Sequence, residues 1–121
     1  ELYQVAYEHV MTNIGLIQPG MSFTEMTQLA HRLPEKYRPL RYGVVAHGVG
    51  LCDEYPAVRY PEDVEAHGYG GAFEVGMTIC VEAYIGAVGG REGVKLEEQV
   101  LVTETGAVPL STYRYEDDLL A

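Results

Sequence analysis

The chain has 121 residues, and Lys+Arg 8 against Asp+Glu 18 leaves a formal net charge of −10. That balance argues against nucleic acid or an anionic membrane as partner. Apolar residues at 47% exclude a disordered chain, and no apolar run approaches the ~20 residues needed to span a bilayer.

Leu2, Val5, Ala6, Val10, Ile14 and Ile17 recur at three- and four-residue spacing, which predicts an amphipathic helix that stops at Gln18-Pro19-Gly20. The pattern is already helical at Glu1, so the chain reads as part of a larger domain. Ser22 with Glu25 three residues later forms a capping box, predicting a second helix from Phe23 to Leu33. Pro34 and Pro39 bracket a connector. Tyr42 to Ala46 reads as a strand leading into His47-Gly48-Val49-Gly50, and Asp53 to Gly71 reads as a long loop.

From Met77 the period becomes two. Ile79, Val81, Ala83 and Ile85 point one way, while Thr78, Cys80, Glu82 and Tyr84 point the other. Gly89-Gly90 predicts a two-residue hairpin turn. Val94, Leu96, Val100 and Val102 then continue the apolar face, interrupted by Glu98, up to Thr105-Gly106. The residues from Tyr113 to Ala121 read as a solvated end. Cys52 and Cys80 are too few for a disulfide scaffold, so reduced thiols and a cytoplasmic location are expected.

A hairpin centred on Gly89-Gly90 sets Glu82 opposite Glu97. Two ionised carboxylates so placed repel, and a shared proton, a nearby cation or a bound metal must compensate. A solvated polar face with Lys95 offsetting the charge is the other reading of the same pattern. His47, followed by two glycines that permit close backbone approach, adds an imidazole from a separate strand region. One imidazole with two carboxylates suits Mn, Fe, Co or Zn rather than Ca. His9, His31 and His67 show no such partner pattern and are taken as structural.

The order helix, Gln18-Pro19-Gly20, helix, His47-Gly48-Val49-Gly50, Gly76-Met77-Thr78, Val81-Glu82, Leu96-Glu97 and Val102-Thr103-Glu104-Thr105-Gly106 resembles the methionine aminopeptidase, prolidase and creatinase superfamily. The resemblance implies an α+β fold in which residues 1–121 form the C-terminal portion of one pita-bread catalytic domain, two helices on a curved, mainly antiparallel sheet. It implies that His47, Glu82 and Glu97 are metal ligands, with Glu97 bridging two ions. Two further aspartate ligands are expected upstream of the first helix.

Three departures mark a branch of that superfamily. The peptidases carry a second histidine after the Gly-x-Gly, where Asp53 stands here. Ala83 replaces the proline that follows the metal-binding glutamate, and Val75 stands where proline often precedes Gly-Met. The stretches Arg41 to Pro56 and Val81 to Gly90, followed by Glu92 to Glu97, are similar to the branch that cleaves dimethylsulfoniopropionate. That likeness implies Asp53 as general base and Tyr42 as a substrate-contacting aromatic. It also implies two iron ions, with Mn, Co or Zn as alternatives, a small zwitterionic sulfonium substrate, and a homodimer. The runner-up is a prolidase-like dinuclear metallohydrolase. From the residues alone, Asp53 also reads as a turn residue and Tyr42 as a buried strand tyrosine.

Overall fold

A computed structural model describes all residues, 1–121. Helix α1 (Leu2–Leu16) is followed by α2 (Phe23–Leu29), a 3-10 segment (Glu35–Leu40) and strands β1 (Ala46–Gly48) and β2 (Ala57–Val58). A 3-10 turn (Pro61–Asp63) leads into the short α3 (Val64–His67). Then come β3 (Thr78–Gly86), β4 (Gly93–Thr103), β5 (Gly106–Pro109) and a last turn of helix, α4 (Asp117–Leu120). The strands form one open sheet in the order β2-β1-β3-β4-β5, with every neighbouring pair antiparallel. No helix is long and apolar enough to cross a membrane.

The two periodicities meet in the core. Ala6, Val10, Ile14 and Ile17 of the α1 region face Ile79, Val81, Ala83 and Ile85 of β3 and Val100 and Val102 of β4, all buried. Burying an Ile or Val side chain stabilises by roughly 1.5–3 kcal/mol, so this seam fixes the sheet against the helix. The Ser22 Oγ accepts from the Glu25 backbone N–H at 3.0 Å, the cap that the spacing predicts.

Several elements differ from expectation. Helix α2 ends at Leu29 rather than Leu33, because Ala30 turns extended (ψ 143°) and Leu33 precedes a proline, a position that disfavours helix. The His31 N–H is taken up by the Asn13 side-chain oxygen at 2.9 Å instead. The first strand forms at Ala46–Gly48, later than Tyr42–Ala46. The long loop holds β2, which pairs with β1.

The predicted two-residue turn is a longer loop. Strand β3 closes at Gly86 and β4 opens at Gly93, with a β-turn from Ala87 to Gly90 and Gly89 at φ +76°. Loop residues 87–92 are symmetric about Gly89-Gly90, so the register survives the change. Beyond Gly106 the chain turns back as β5. The residues after Tyr113 are mostly exposed yet tied to α1: the Glu116 N–H donates to the Tyr3 hydroxyl at 2.9 Å, and Tyr115 meets Tyr7 edge to face at 4.9 Å.

Candidate metal centre

Three adjacent strands bring the candidate ligands together. Glu82 and Glu97 are directly opposed across β3 and β4, as the hairpin arithmetic predicts, and His47 of β1 pairs with Cys80 of β3. His47 Nε2 lies 3.2 Å from Glu82 Oε1 and 3.5 Å from Glu97 Oε1. Glu82 is fully buried, while Glu97 keeps 36% of its side chain exposed. Both faces of β3 are therefore closed at this point: the alternate face predicted to be polar carries Cys80 and Glu82 into the interior.

The histidine is oriented from behind. Its Nδ1 stands 2.9 Å from the Gly48 carbonyl oxygen, which can only accept, so Nδ1 carries the proton and donates. In the neutral ring this turns the Nε2 lone pair toward two carboxylates, the tautomer that a metal-binding imidazole needs. Three acceptors converge on one point, which calls for a cation or a proton between them.

Lys95 supplies part of that compensation. Its Nζ lies 2.8 Å from Glu82 Oε2 and 3.5 Å from Glu97 Oε2. That ammonium serves Oε2, whereas the buried Oε1 faces the His47 lone pair and has no hydrogen-bond donor. Burial pushes the Glu82 carboxyl above the usual carboxylate range; Lys95 pulls it down, and Glu97 pushes it further up. An orphaned carboxylate oxygen beside a correctly turned imidazole fits a divalent ion. Two overlapping donor groups are formed: His47, Cys80 and Glu97, and His47, Glu54 and Glu82, each with ligand atoms mutually within 4.8 Å.

Tyr42 and Asp53 fall differently from one another. The Tyr42 ring lies under Lys95, with Nζ 4.5 Å from its centroid, and its hydroxyl donates to Glu54 Oε1 at 2.7 Å. That bond, with burial behind it, pushes the Tyr42 hydroxyl up to about 12. Asp53 is exposed, sits at φ +53° and belongs to neither donor group. Its neighbour Glu54 takes the place beside His47 and Glu82. Sequence reading missed Glu54, whose one available sign was its position next to Asp53. It also passed over Cys80, although period two puts that thiol on the Glu82 face.

Gly48 shapes the loop that brings Glu54 in. A β-carbon on Gly48 would lie 2.2 Å from the Tyr55 carbonyl oxygen and 2.5 Å from the Pro56 ring. The Tyr55–Pro56 backbone thus crosses the strand where only a hydrogen leaves room.

Comparison with known proteins agrees with this geometry. The model of metallopeptidase family M24 matches residues 1–104. The chain belongs to metallopeptidase family M24. Among curated M24-like relatives, it is 46% identical over 117 residues to a protein named dimethylsulfoniopropionate lyase DddP from Roseovarius nubinhibens, covering 97% of this chain and 26% of that protein. It is 32% identical over 117 residues to an Xaa-Pro dipeptidase from Pyrococcus furiosus, covering 92% of this chain and 30% of that protein. The prolidase structure from Pyrococcus furiosus superposes with a TM-score of 0.73 at 28% identity, over 93% of this chain and 32% of that one. This M24 chain spans about a quarter of the length of the curated lyases it matches. Its α+β architecture, with helices on an open, curved antiparallel sheet, is part of the pita-bread fold.

Proposed function

We propose that this M24 chain belongs to a divalent-metal-dependent carbon–sulfur lyase that cleaves dimethylsulfoniopropionate to dimethyl sulfide and acrylate. The observation that carries the reading is the 46% identity to a protein of that name, against 32% to a dipeptidase. Two iron ions, a homodimer and a cytoplasmic location complete the proposal.

In this reading His47, Glu82 and Glu97 hold the metal, with Glu54 and Cys80 within reach. A divalent ion bound there would draw electron density from the substrate carboxylate and acidify the adjacent CH2. The Asp53 carboxylate takes that proton, the electron pair forms the carbon–carbon double bond, and the carbon–sulfur bond breaks to release neutral dimethyl sulfide. Asp53 suits the task because its carboxylate is exposed, whereas Glu54 already accepts the Tyr42 hydroxyl. The left-handed backbone of Asp53 costs on the order of 1 kcal/mol, a strain that clusters at working residues. The Tyr42 ring already faces a cation at 4.5 Å, and a substrate sulfonium can use the same kind of face.

A second reading, a prolidase-like dinuclear metallohydrolase, is favoured by the likeness to solved prolidases. There Glu82 would shuttle a proton from the attacking water to the leaving amine. Headspace assay for dimethyl sulfide, run beside cleavage of Xaa-Pro dipeptides, separates the two. Release of the sulfide with intact dipeptides is expected. Dipeptide cleavage without the sulfide would replace the lyase with the hydrolase.

A further inference from the structure

The four polar side chains of the centre divide their contacts in a particular way. Oε1 of Glu82 and Oε1 of Glu97 turn to His47, while Oε2 of each turns to the Lys95 ammonium. Glu82 is wholly enclosed, so without Lys95 its charge would stand in the interior against a second carboxylate and an imidazole lone pair. The ammonium therefore does at this point what a metal ion would also do.

We propose that Lys95 is the resident counter-cation of the centre, holding the Glu82 and Glu97 carboxylates together until a divalent ion displaces it, so that Lys95 sets the affinity with which the ion is taken up. The inference rests on the metal-centre reading above and goes beyond it. An ion held by His47, Glu82 and Glu97 would lie against the same two carboxylates as the ammonium, and two cations that close repel strongly. Lys95 can yield. Its side chain is 45% exposed on a flexible stem, and its ammonium already lies 4.5 Å from the centroid of the Tyr42 ring, a face that can keep hold of it when the carboxylates let go. That ring is itself pinned by its hydroxyl to Glu54.

The test compares the full chain with Lys95→Met and Lys95→Arg. Mn2+ and Co2+ are titrated by calorimetry, and the metal-free forms are unfolded with urea. The expected result has two opposite signs. Lys95→Met binds either ion about tenfold tighter or more, since a cationic competitor is gone. The same variant unfolds at a lower urea midpoint without metal, because Glu82 is left buried and unpaired. Lys95→Arg, which keeps the charge, stays near the parent chain in both. Unchanged or weaker affinity in a folded Lys95→Met overturns the proposal and leaves the lyase reading standing. If Lys95→Met does not fold without metal, Lys95→Gln is titrated under the same criterion. Should neither parent nor variants take up either ion, the metal centre itself falls and this inference with it.

Discussion

Glu82 on β3 and Glu97 on β4 occupy one cross-strand pair, and a single imidazole nitrogen, His47 Nε2, lies 3.2 Å from one and 3.5 Å from the other. Like charges at a directly opposed pair weaken a sheet, by a few tenths to about 1 kcal/mol. In the metal-free chain, Glu97→Gln is therefore expected to raise stability slightly. At a metal concentration a hundred times the dissociation constant, the parent gains about 2.7 kcal/mol and the variant gains none. Urea unfolding with and without Mn2+ reads both effects. A variant that is destabilised without metal, or still stabilised by it, contradicts the assignment.

Asp53 and Glu54 are adjacent carboxylates with different surroundings, one free and one bonded to Tyr42. Asp53→Ala should lower dimethyl sulfide release by roughly a hundredfold or more while metal content stays constant. Glu54→Ala should instead lower metal affinity and free the Tyr42 hydroxyl, whose titration would move down from about 12 toward its ordinary value. Ultraviolet titration of the tyrosines and elemental analysis distinguish the two variants.

Gly48 leaves no room for a methyl group beside the Tyr55 carbonyl. The backbone there cannot yield as a side chain tip would, so Gly48→Ala should cost about 1–3 kcal/mol and displace the Glu54 loop. The loss should appear both in thermal unfolding and in weaker metal binding. An unaltered unfolding temperature would contradict the close crossing.

Cys80 is buried, and its thiol is pushed up to about 12, chiefly by burial and then by the neighbouring Glu97 carboxylate. Cys52 is exposed. At neutral pH a thiol reagent should label the native chain at Cys52 alone, and at both cysteines after denaturation. Mass spectrometry of the labelled peptides checks this directly.

His9 lies within the α1 interface, with Nδ1 3.2 Å from His31 Nδ1 and Nε2 3.2 Å from the Tyr60 hydroxyl. Burial, with His31 adding to it, lowers its pKa from 6.5 to about 4. The folded-state value is depressed, so the unfolded chain takes up this proton first as pH falls. Its contribution is present above 6.5 and is lost between about 6.5 and 4, at most about 3 kcal/mol. Glu82, raised in the folded state, acts in the opposite sense and favours folding at lower pH. Denaturation midpoints of the parent and His9→Gln over that range should diverge, with the shallower slope in the variant.

The sheet that carries the centre was legible because period two is a local signal. The apolar set Ile79, Val81, Ala83 and Ile85 and the symmetric glycines fix which residues oppose each other, and Glu82 against Glu97 follows by counting. His47 was visible from its glycines. What counting cannot supply is tertiary. The closing of the second face over Glu82, the arrival of Glu54 across Gly48 and the seating of Lys95 on Tyr42 depend on chain segments remote from one another. The early end of α2 was missed for a related reason, since a side chain on α1, Asn13, captures the His31 N–H that a further turn would have used. His9 offers no partner pattern in the sequence because the two side chains that bond its ring come from distant segments.

The strand segment from Gly93 to Glu97 acts as a ruler for the whole centre. One extra residue placed in the loop of residues 87–92 only lengthens a bulging tip. The same insertion between Gly93 and Glu97 would flip the strand's alternation beyond it, turning the Glu97 carboxylate to the helix side and bringing Glu98, now buried near Tyr115, onto the Glu82 face opposite Cys80. Length variation is thus tolerated at one end of this hairpin and forbidden a few ångströms away, where the spacing between acids is measured out.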